Sequence, residues 1–163
     1  MSNSLFRSNK EIVEVYNKYV DKIYRICYLY MKNKDDTEDA VSTVFEKFIR
    51  ANKIYENEEH LEAWLVLSAS NHCKNSLKTW YRKNKNIDNE ILPINDHTDE
   101  TLNILLSLPK KYKIIIYMYY YEGYTSDEIA TKLNINASTV RSYLRRGREL
   151  LKNILQKDDV YAK

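Results

Sequence analysis

Hydrophobic residues recur along the chain at intervals of three and four, the spacing that places side chains on one face of an α-helix. The longest stripe runs through residues 9–31 and predicts a first helix there. After a polar break at residues 33–36, a second stripe starts at Thr37, and a third occupies residues 60–83. Shorter stripes follow between residues 102 and 155. The pattern predicts an almost entirely helical protein.

Composition favours the same fold class. Glycine and proline, which most often mark turns, occur only twice each in the 163 residues. No segment alternates apolar and polar residues as a half-buried strand does. A chain of this length, 44% hydrophobic, suits one medium domain or two small ones. We therefore expect an all-α protein built from two small helical domains.

An acidic segment separates the two predicted domains. Residues 87–100 contain five acidic residues, no lysine or arginine, and no apolar helix face. Such a segment has too little apolar surface to bury itself, so it predicts a solvated linker. The predicted domains are then residues 9–86 and residues 101–157.

Residues 125–152 have the pattern of a helix-turn-helix. Thr125 can cap a first short helix, and Glu128, three positions on, can return a hydrogen bond to the Thr125 amide, the reciprocal capping box. Asn134 stands where that helix must end, and asparagine tolerates the left-handed conformation that ends helices. Asn136 can cap the next helix. The second helix of such a motif fits the major groove of DNA.

That second helix is strongly basic. Residues 137–157 contain six basic residues and one acidic residue, whereas a merely solvated helix interleaves both signs. Arginine can bind guanine or phosphate through two parallel hydrogen bonds. The alternative is that the arginines only solvate an exposed face. The predicted DNA-binding residues are Arg141, Ser142, Arg145, Arg146 and Arg148.

A second basic segment covers residues 71–86, with five basic residues and no acidic one. Trp80 and Tyr81 lie among these charges. Basic residues mixed with aromatic ones suit single-stranded DNA, because phosphates pair with the charges and unstacked bases rest on the rings. The two rings could equally close the end of the helical core, and the sequence leaves both interpretations open.

Little in the chain indicates a metal, a cofactor or a membrane segment. Cys27 and Cys73 form neither a disulfide framework nor a zinc-binding spacing, so we expect no metal and no cofactor. The longest apolar run, residues 114–121, is too short to cross a bilayer, and no signal sequence is visible at the amino terminus. We expect no membrane insertion and a cytoplasmic location.

Four stretches, taken in order, resemble the extracytoplasmic-function (ECF) sigma factors of bacterial RNA polymerase. The resemblance covers roughly residues 11–155, and no single stretch would establish it. The stretches are DDTEDAVSTVFEKFI (residues 35–49), EAWLVLSASNHCKNSLKTWYRK (62–83), LPKKYKIIIYMYYYEGYTSDEIA (108–130) and STVRSYLRRGRELLK (138–152).

The resemblance implies an alternative sigma factor that binds core RNA polymerase and promoter DNA, with an anti-sigma factor as a further partner. It implies no catalytic residue. By position in the family pattern, Asp39, Ser42 and Phe45 would contact the polymerase. The residues implied for the downstream promoter element are Asn71, Lys74, Asn75, Lys78 and Arg82, and the loop at residues 53–59 would hold a flipped base.

In the second domain, the resemblance implies that Arg141, Ser142 and Arg145 read the upstream promoter element, with Arg146 and Arg148 on phosphates. One alternative function is a free-standing repressor that binds an operator through the helix-turn-helix. That alternative leaves the basic third helix unused. A site-specific recombinase also ends in such a motif, but nothing here predicts the α/β catalytic domain it needs.

Overall fold

The structure, a computed structural model, describes residues 7–83 and 100–161. Within these ranges it contains seven α-helices and no β-strand, which confirms the predicted all-α class. The chain divides into two compact units, Met1–Pro93 and Ile94–Lys163. The predicted linker lies outside the described residues except for its last residue, Glu100, where a helix already begins.

The first unit contains helices α1 (Asn9–Met31), α2 (Lys34–Ala51) and α3 (Glu58–Lys83). Helix α1 covers the predicted range. Its start is fixed by Ser8, whose hydroxyl accepts from the Glu11 amide at 3.2 Å. The Glu11 carboxylate in turn accepts from the Ser8 amide at 3.1 Å, so two free donors of the first turn are satisfied.

Helix α2 begins three residues before the predicted start at Thr37. The side chain of Asn33 caps it by accepting from the Asp36 amide at 2.8 Å. The first turn exposes only polar side chains, so no apolar stripe marks it in the sequence. Thr37 is buried inside the helix and donates its hydroxyl to the Asn33 carbonyl. The predicted break between the two helices is confirmed at Asn33, but residues 34–36 already belong to α2, so its predicted extent was wrong.

The core of the first unit lies where α1 packs against both α2 and α3. The Tyr30 hydroxyl donates to Ser70 within this core at 3.3 Å, which satisfies two buried polar groups. Two ion pairs between Lys18 and Glu58 (2.7 Å) and between Lys22 and Glu62 join α1 to α3. The largest fully buried side chains of this unit are Ile23, Ile26, Leu29, Val44, Phe48, Leu65 and Val66.

The second unit contains α4 (Glu100–Leu106), α5 (Lys110–Tyr120), α6 (Ser126–Leu133) and α7 (Ala137–Tyr161). Helix α5 is its centre and packs against the other three helices. Gly123 follows α5 with φ +75°, a left-handed conformation that suits glycine. The chain then turns directly into α6, which leaves α7 free to present its outer face.

Candidate nucleic-acid interface

Helices α6 and α7 form the predicted helix-turn-helix. The Thr125 hydroxyl accepts from the Glu128 amide at 3.2 Å and so caps α6. Asn134 ends α6 with φ 54° and ψ 49°, the left-handed conformation expected for it. The Asn136 carbonyl accepts from the Val140 amide at 3.1 Å and starts α7. The turn between the helices is therefore short and fixed at both ends.

One side of α7 is buried in the unit and the other is open to solvent. Val140 and Leu144 are buried as predicted, and Leu151 is half-buried. Arg141, Arg145 and Arg146 are exposed, whereas Ser142 is half-buried between them. Since residues three and four apart share a helix face, Arg141 and Arg145 lie one turn apart on the same side. This side of α7 therefore presents two exposed arginines in line to solvent.

Tyr143 and Arg146 of α7 both contact Tyr112 of α5. Tyr112 of α5 meets Tyr143 of α7 edge to face, with ring centroids 5.5 Å apart. Desolvation acts to raise the pKa of the Tyr112 hydroxyl, but hydrogen bonds from Arg146 and Lys111 outweigh it, and the pKa lies below its ordinary value. Tyr143 thus packs α7 onto α5.

Arg148 is placed differently from the other predicted DNA-binding arginines. Its side-chain Nε donates to the Leu144 carbonyl at 3.3 Å, so the guanidinium lies along α7 toward the amino-terminal end of that helix. It also borders a cavity of about 650 Å³ between α4, α5 and α7, which sequence reasoning did not predict. The other lining residues are Ile104, Leu105, Ile116, Tyr117, Tyr120, Tyr121, Leu151, Lys152, Leu155 and Gln156.

The first unit carries a second polar strip, along the carboxyl-terminal half of α3. Each member lies three or four residues from at least one other member, so together they cover one side of the helix. All of them are exposed, and the family-implied set is therefore one continuous surface. Its members are Asn71, Lys74, Asn75, Lys78 and Arg82.

The sequence left open whether Trp80 and Tyr81 close the helical core or offer rings to bases, and the structure places the two rings differently. Trp80 is half-buried and, with Met31 and Leu77, lines a cleft of about 220 Å³ between α2 and α3. Tyr81 is 37% exposed next to the basic strip and meets the Trp80 ring edge to face at 5.1 Å. Of the two rings, Tyr81 is the more exposed.

The three residues implied for polymerase binding lie on α2, but not on one surface. Asp39 and Ser42 are exposed. Phe45 is only 6% exposed, and its ring meets Tyr16 of α1 edge to face at 4.9 Å. Phe45 therefore packs α2 onto α1, and the accessible part of the implied set consists of Asp39 and Ser42.

The described residues contain no group of three histidine, cysteine or acidic side chains that could hold a metal ion. Both cysteines are buried thiols. The neighbouring Cys73, together with burial, raises the pKa of Cys27 far above its ordinary value. Across the same part of the chain, no helix is both long enough and apolar enough to cross a membrane.

Comparison with known proteins accounts for both units. The family model Sigma-70 region 2 matches residues 15–85, and the model Sigma-70, region 4 matches residues 98–151. Each match falls within one compact unit, and together they cover most of the chain. The chain is a sigma factor of the sigma-70 family. Its two basic helices, α3 and α7, belong to regions 2 and 4 respectively.

Relatives place this sigma factor in the ECF group. RNA polymerase sigma factor SigV of Bacillus subtilis (strain 168) is 29% identical over 143 residues, 84% of this chain and 86% of the relative. ECF RNA polymerase sigma factor SigW of the same organism is 26% identical over 171 residues, 90% of this chain and 88% of the relative. These matches confirm the resemblance seen in the sequence, and the repressor alternative is not favoured.

Two solved structures share the fold. The sigma factor RpoE, in complex with the anti-sigma factor NepR from Bartonella quintana, matches with a TM-score of 0.73 at 16% identity, over 90% of this chain and 98% of that one. CnrH in complex with the cytosolic domain of CnrY matches with a TM-score of 0.69 at 14% identity, over 93% and 91%.

Proposed function

We propose that this sigma factor, bound to core RNA polymerase, divides promoter recognition between its two units. The observation that carries the proposal is that each unit exposes one polar, basic helix face, α3 in the first and α7 in the second. Each face alone would bind DNA weakly. Held on one polymerase, the two act as linked modules with a high effective concentration, and only promoters with both elements are selected.

The second unit reads the upstream promoter element in duplex form. Arg141 and Arg145, one helical turn apart, supply base contacts in the major groove, and Ser142 lies between them. Arg146 and Arg148 flank this line and contact phosphates. Each good bidentate arginine contact discriminates between base pairs by roughly 1 to 3 kcal/mol, whereas phosphate contacts add affinity that falls with salt.

The first unit binds the downstream element as the strands separate. Asn71, Asn75 and Lys78 contact the unpaired strand along the exposed face of α3, together with Lys74 and Arg82. Tyr81, exposed beside this face, offers a ring on which a base can stack. The loop between α2 and α3 holds a flipped base, which offsets the few kcal/mol that unstacking costs.

Polymerase binding uses the exposed side of α2. Asp39 and Ser42 face the clamp of the largest polymerase subunit, while the buried Phe45 fixes the helix that carries them. An anti-sigma factor is the proposed inhibitory partner, since the solved sigma factor RpoE, which shares this fold, is bound to the anti-sigma factor NepR. The sigma factor works in the cytoplasm, where core polymerase is found, and supplies no catalytic residue of its own.

The test is transcription in vitro with sigma-free core polymerase, the purified sigma factor and fragmented genomic DNA, followed by sequencing of RNA start sites. We expect starts at a few sites that share two spaced upstream motifs. The Arg145→Ala variant, run in parallel, should lose these starts or spread them to other sites. If nothing initiates while the protein alone binds duplex DNA, the operator-binding repressor replaces this proposal.

A further inference from the structure

Arg7, just before α1, lies against the loop that joins α2 to α3 (residues 52–57). The Arg7 amide donates to Oδ1 of Asn52 at 3.1 Å. Its guanidinium Nη2 donates to the carbonyl oxygen of Lys53. Arg7 thus holds two consecutive loop residues, Asn52 through its backbone amide and Lys53 through its side chain. Asn52 takes a left-handed conformation with φ 44°, so the loop leaves α2 at a sharp turn beside these contacts.

The guanidinium also joins the loop to the core through aromatic rings. Its central carbon lies 4.5 Å from the ring centroid of Phe48, which is fully buried in α2, and 5.0 Å from that of Tyr55 in the loop. A third ring, Trp64 of α3, has its centroid 6.0 Å from that of Tyr55. Arginine favours such stacked positions, and the attraction is larger where water is excluded.

The Tyr55 hydroxyl forms no hydrogen bond within the described part of the chain, so only its ring contacts hold the side chain in place. Its oxygen is buried without a hydrogen-bond partner, as is Nε of Arg7. Burial raises the pKa of Tyr55, so its ring stays neutral. Arg7 therefore contacts the loop at three residues, through hydrogen bonds to Asn52 and Lys53 and through the ring of Tyr55.

The loop held in this way presents an aliphatic side chain to solvent. Ile54, next to the carbonyl that Arg7 binds, is 96% exposed. Since ordering a residue costs about 1 to 2 kcal/mol, a fixed loop meets a partner without that cost at the moment of binding.

We propose that Arg7 is the positioning residue of this loop, holding it and Ile54 in the conformation used in promoter opening. This inference rests on the proposed function, in which the loop meets the unpaired strand. Arg7 lies outside residues 15–85, the range matched by the region 2 family model, so the segment before that range contributes to the site. The guanidinium acts through the loop and does not itself contact the base.

The structural half of the proposal is tested by trypsin on the full chain. Trypsin cuts after Lys53, whose side chain is exposed but whose carbonyl must leave Arg7 before the bond fits a protease. Cleavage at Lys53–Ile54 should be roughly 10- to 100-fold faster in Arg7→Ala, the range expected for losing one hydrogen bond to a charged group. Arg7→Lys should lie between, because lysine keeps a donor but loses the planar stack.

Lys10→Ala is the matched control, because it removes one exposed positive charge three residues away and should leave that rate unchanged. Cleavage after Lys152 in the second unit is the internal reference. Equal rates in Arg7→Ala and wild type would overturn the proposal. Equal acceleration at every bond would also overturn it, because Arg7 would then support the whole fold.

The functional half is tested with holoenzyme at a promoter found by start-site sequencing. Open-complex formation should fall in Arg7→Ala, because base capture needs the loop in its held conformation, and it should recover partly in Arg7→Lys. Faster cleavage at Lys53–Ile54 with unchanged open complexes would overturn the role in opening. If wild type initiates nowhere, the proposed function fails, and the cleavage rates still decide whether Arg7 holds the loop.

Discussion

A Cβ atom placed on Gly147 of α7 would lie 2.8 Å from Cγ1 and 2.9 Å from Cδ1 of Ile116 on α5. Both residues are buried, and side-chain carbons are not found that close to one another. Gly147 does not take a positive φ, so a glycine is not needed here for its conformational freedom. It is needed because the two helices pack too closely for a Cβ atom. This contact sets how near α7 lies to α5.

Gly147→Ala is therefore expected to destabilise the second unit. Alanine gains about 1 kcal/mol of helix propensity, but overpacking a tight contact costs typically 1 to 3 kcal/mol, so we expect a net loss of about 1 kcal/mol. Urea denaturation followed by circular dichroism measures it. In an Ile116→Ala background, where both contacting atoms are gone, the same substitution should no longer destabilise. A higher urea midpoint for Gly147→Ala alone would contradict the packing argument.

Arg145, proposed to contact a base, and Lys152, an exposed residue further along α7 that we expect to meet only phosphate, should differ in what they contribute to DNA binding. Arg145→Ala should reduce discrimination between the promoter and a variant of its upstream element by roughly 10- to 100-fold, the value of one bidentate base contact. Lys152→Ala should weaken binding to both sequences alike and lower the salt dependence by about one phosphate contact. Competition binding by holoenzyme at several salt concentrations separates the two. Equal losses on all sequences for both variants would refute these roles.

Ser42 and Phe45 test the division of α2 into an outer and an inner face. Ser42→Arg adds a long charged side chain to the exposed face, so it should weaken binding to core polymerase without changing the unfolding midpoint. Phe45→Ala should instead lower the stability of the first unit by about 3 kcal/mol, because it leaves a cavity against Tyr16. Fluorescence anisotropy and thermal unfolding, measured on both variants, give the two readouts. A lower midpoint for Ser42→Arg would show that its side chain also matters for folding.

His72 should make the first unit less stable in mild acid. Burial, together with the nearby Lys47, lowers the pKa of His72 below its ordinary value of 6.5. Between the folded and unfolded pKa values the unfolded chain binds a proton that the folded chain does not, so stability rises with pH. The free energy of unfolding should fall as the pH drops below about 6.5. In His72→Gln this part of the pH dependence should disappear, and an identical profile would exclude the histidine as its source.

The sequence predicted what depends on local patterns. The span of α1, the cap at Thr125 and the left-handed Asn134 each follow from a few neighbouring residues, and the structure confirms all three. The start of α2 was missed because a helix's first turn can be wholly polar when a side chain such as Asn33 caps it. A hydrophobic stripe marks only the part of a helix that packs.

Features that depend on tertiary contacts were beyond the sequence. Phe45 falls in the matched family stretch, but its burial depends on Tyr16 of another helix. Nothing around Arg7 in the sequence points to the loop 45 residues later. The cavity beside Arg148 likewise exists only because α4, α5 and α7 meet around it. The charged strips could be predicted because exposed faces need no partner to be recognised.

The two buried thiols give this protein an internal probe of its own breathing motions. Cys27 and Cys73 are the only cysteines in the chain, and both lie in the first unit. Thiol reagents attack the thiolate, and burial disfavours that form of Cys27, so labelling must wait until the helices part. The rate of labelling therefore reports the opening of region 2 alone, without any engineered label, even while region 4 is bound to DNA.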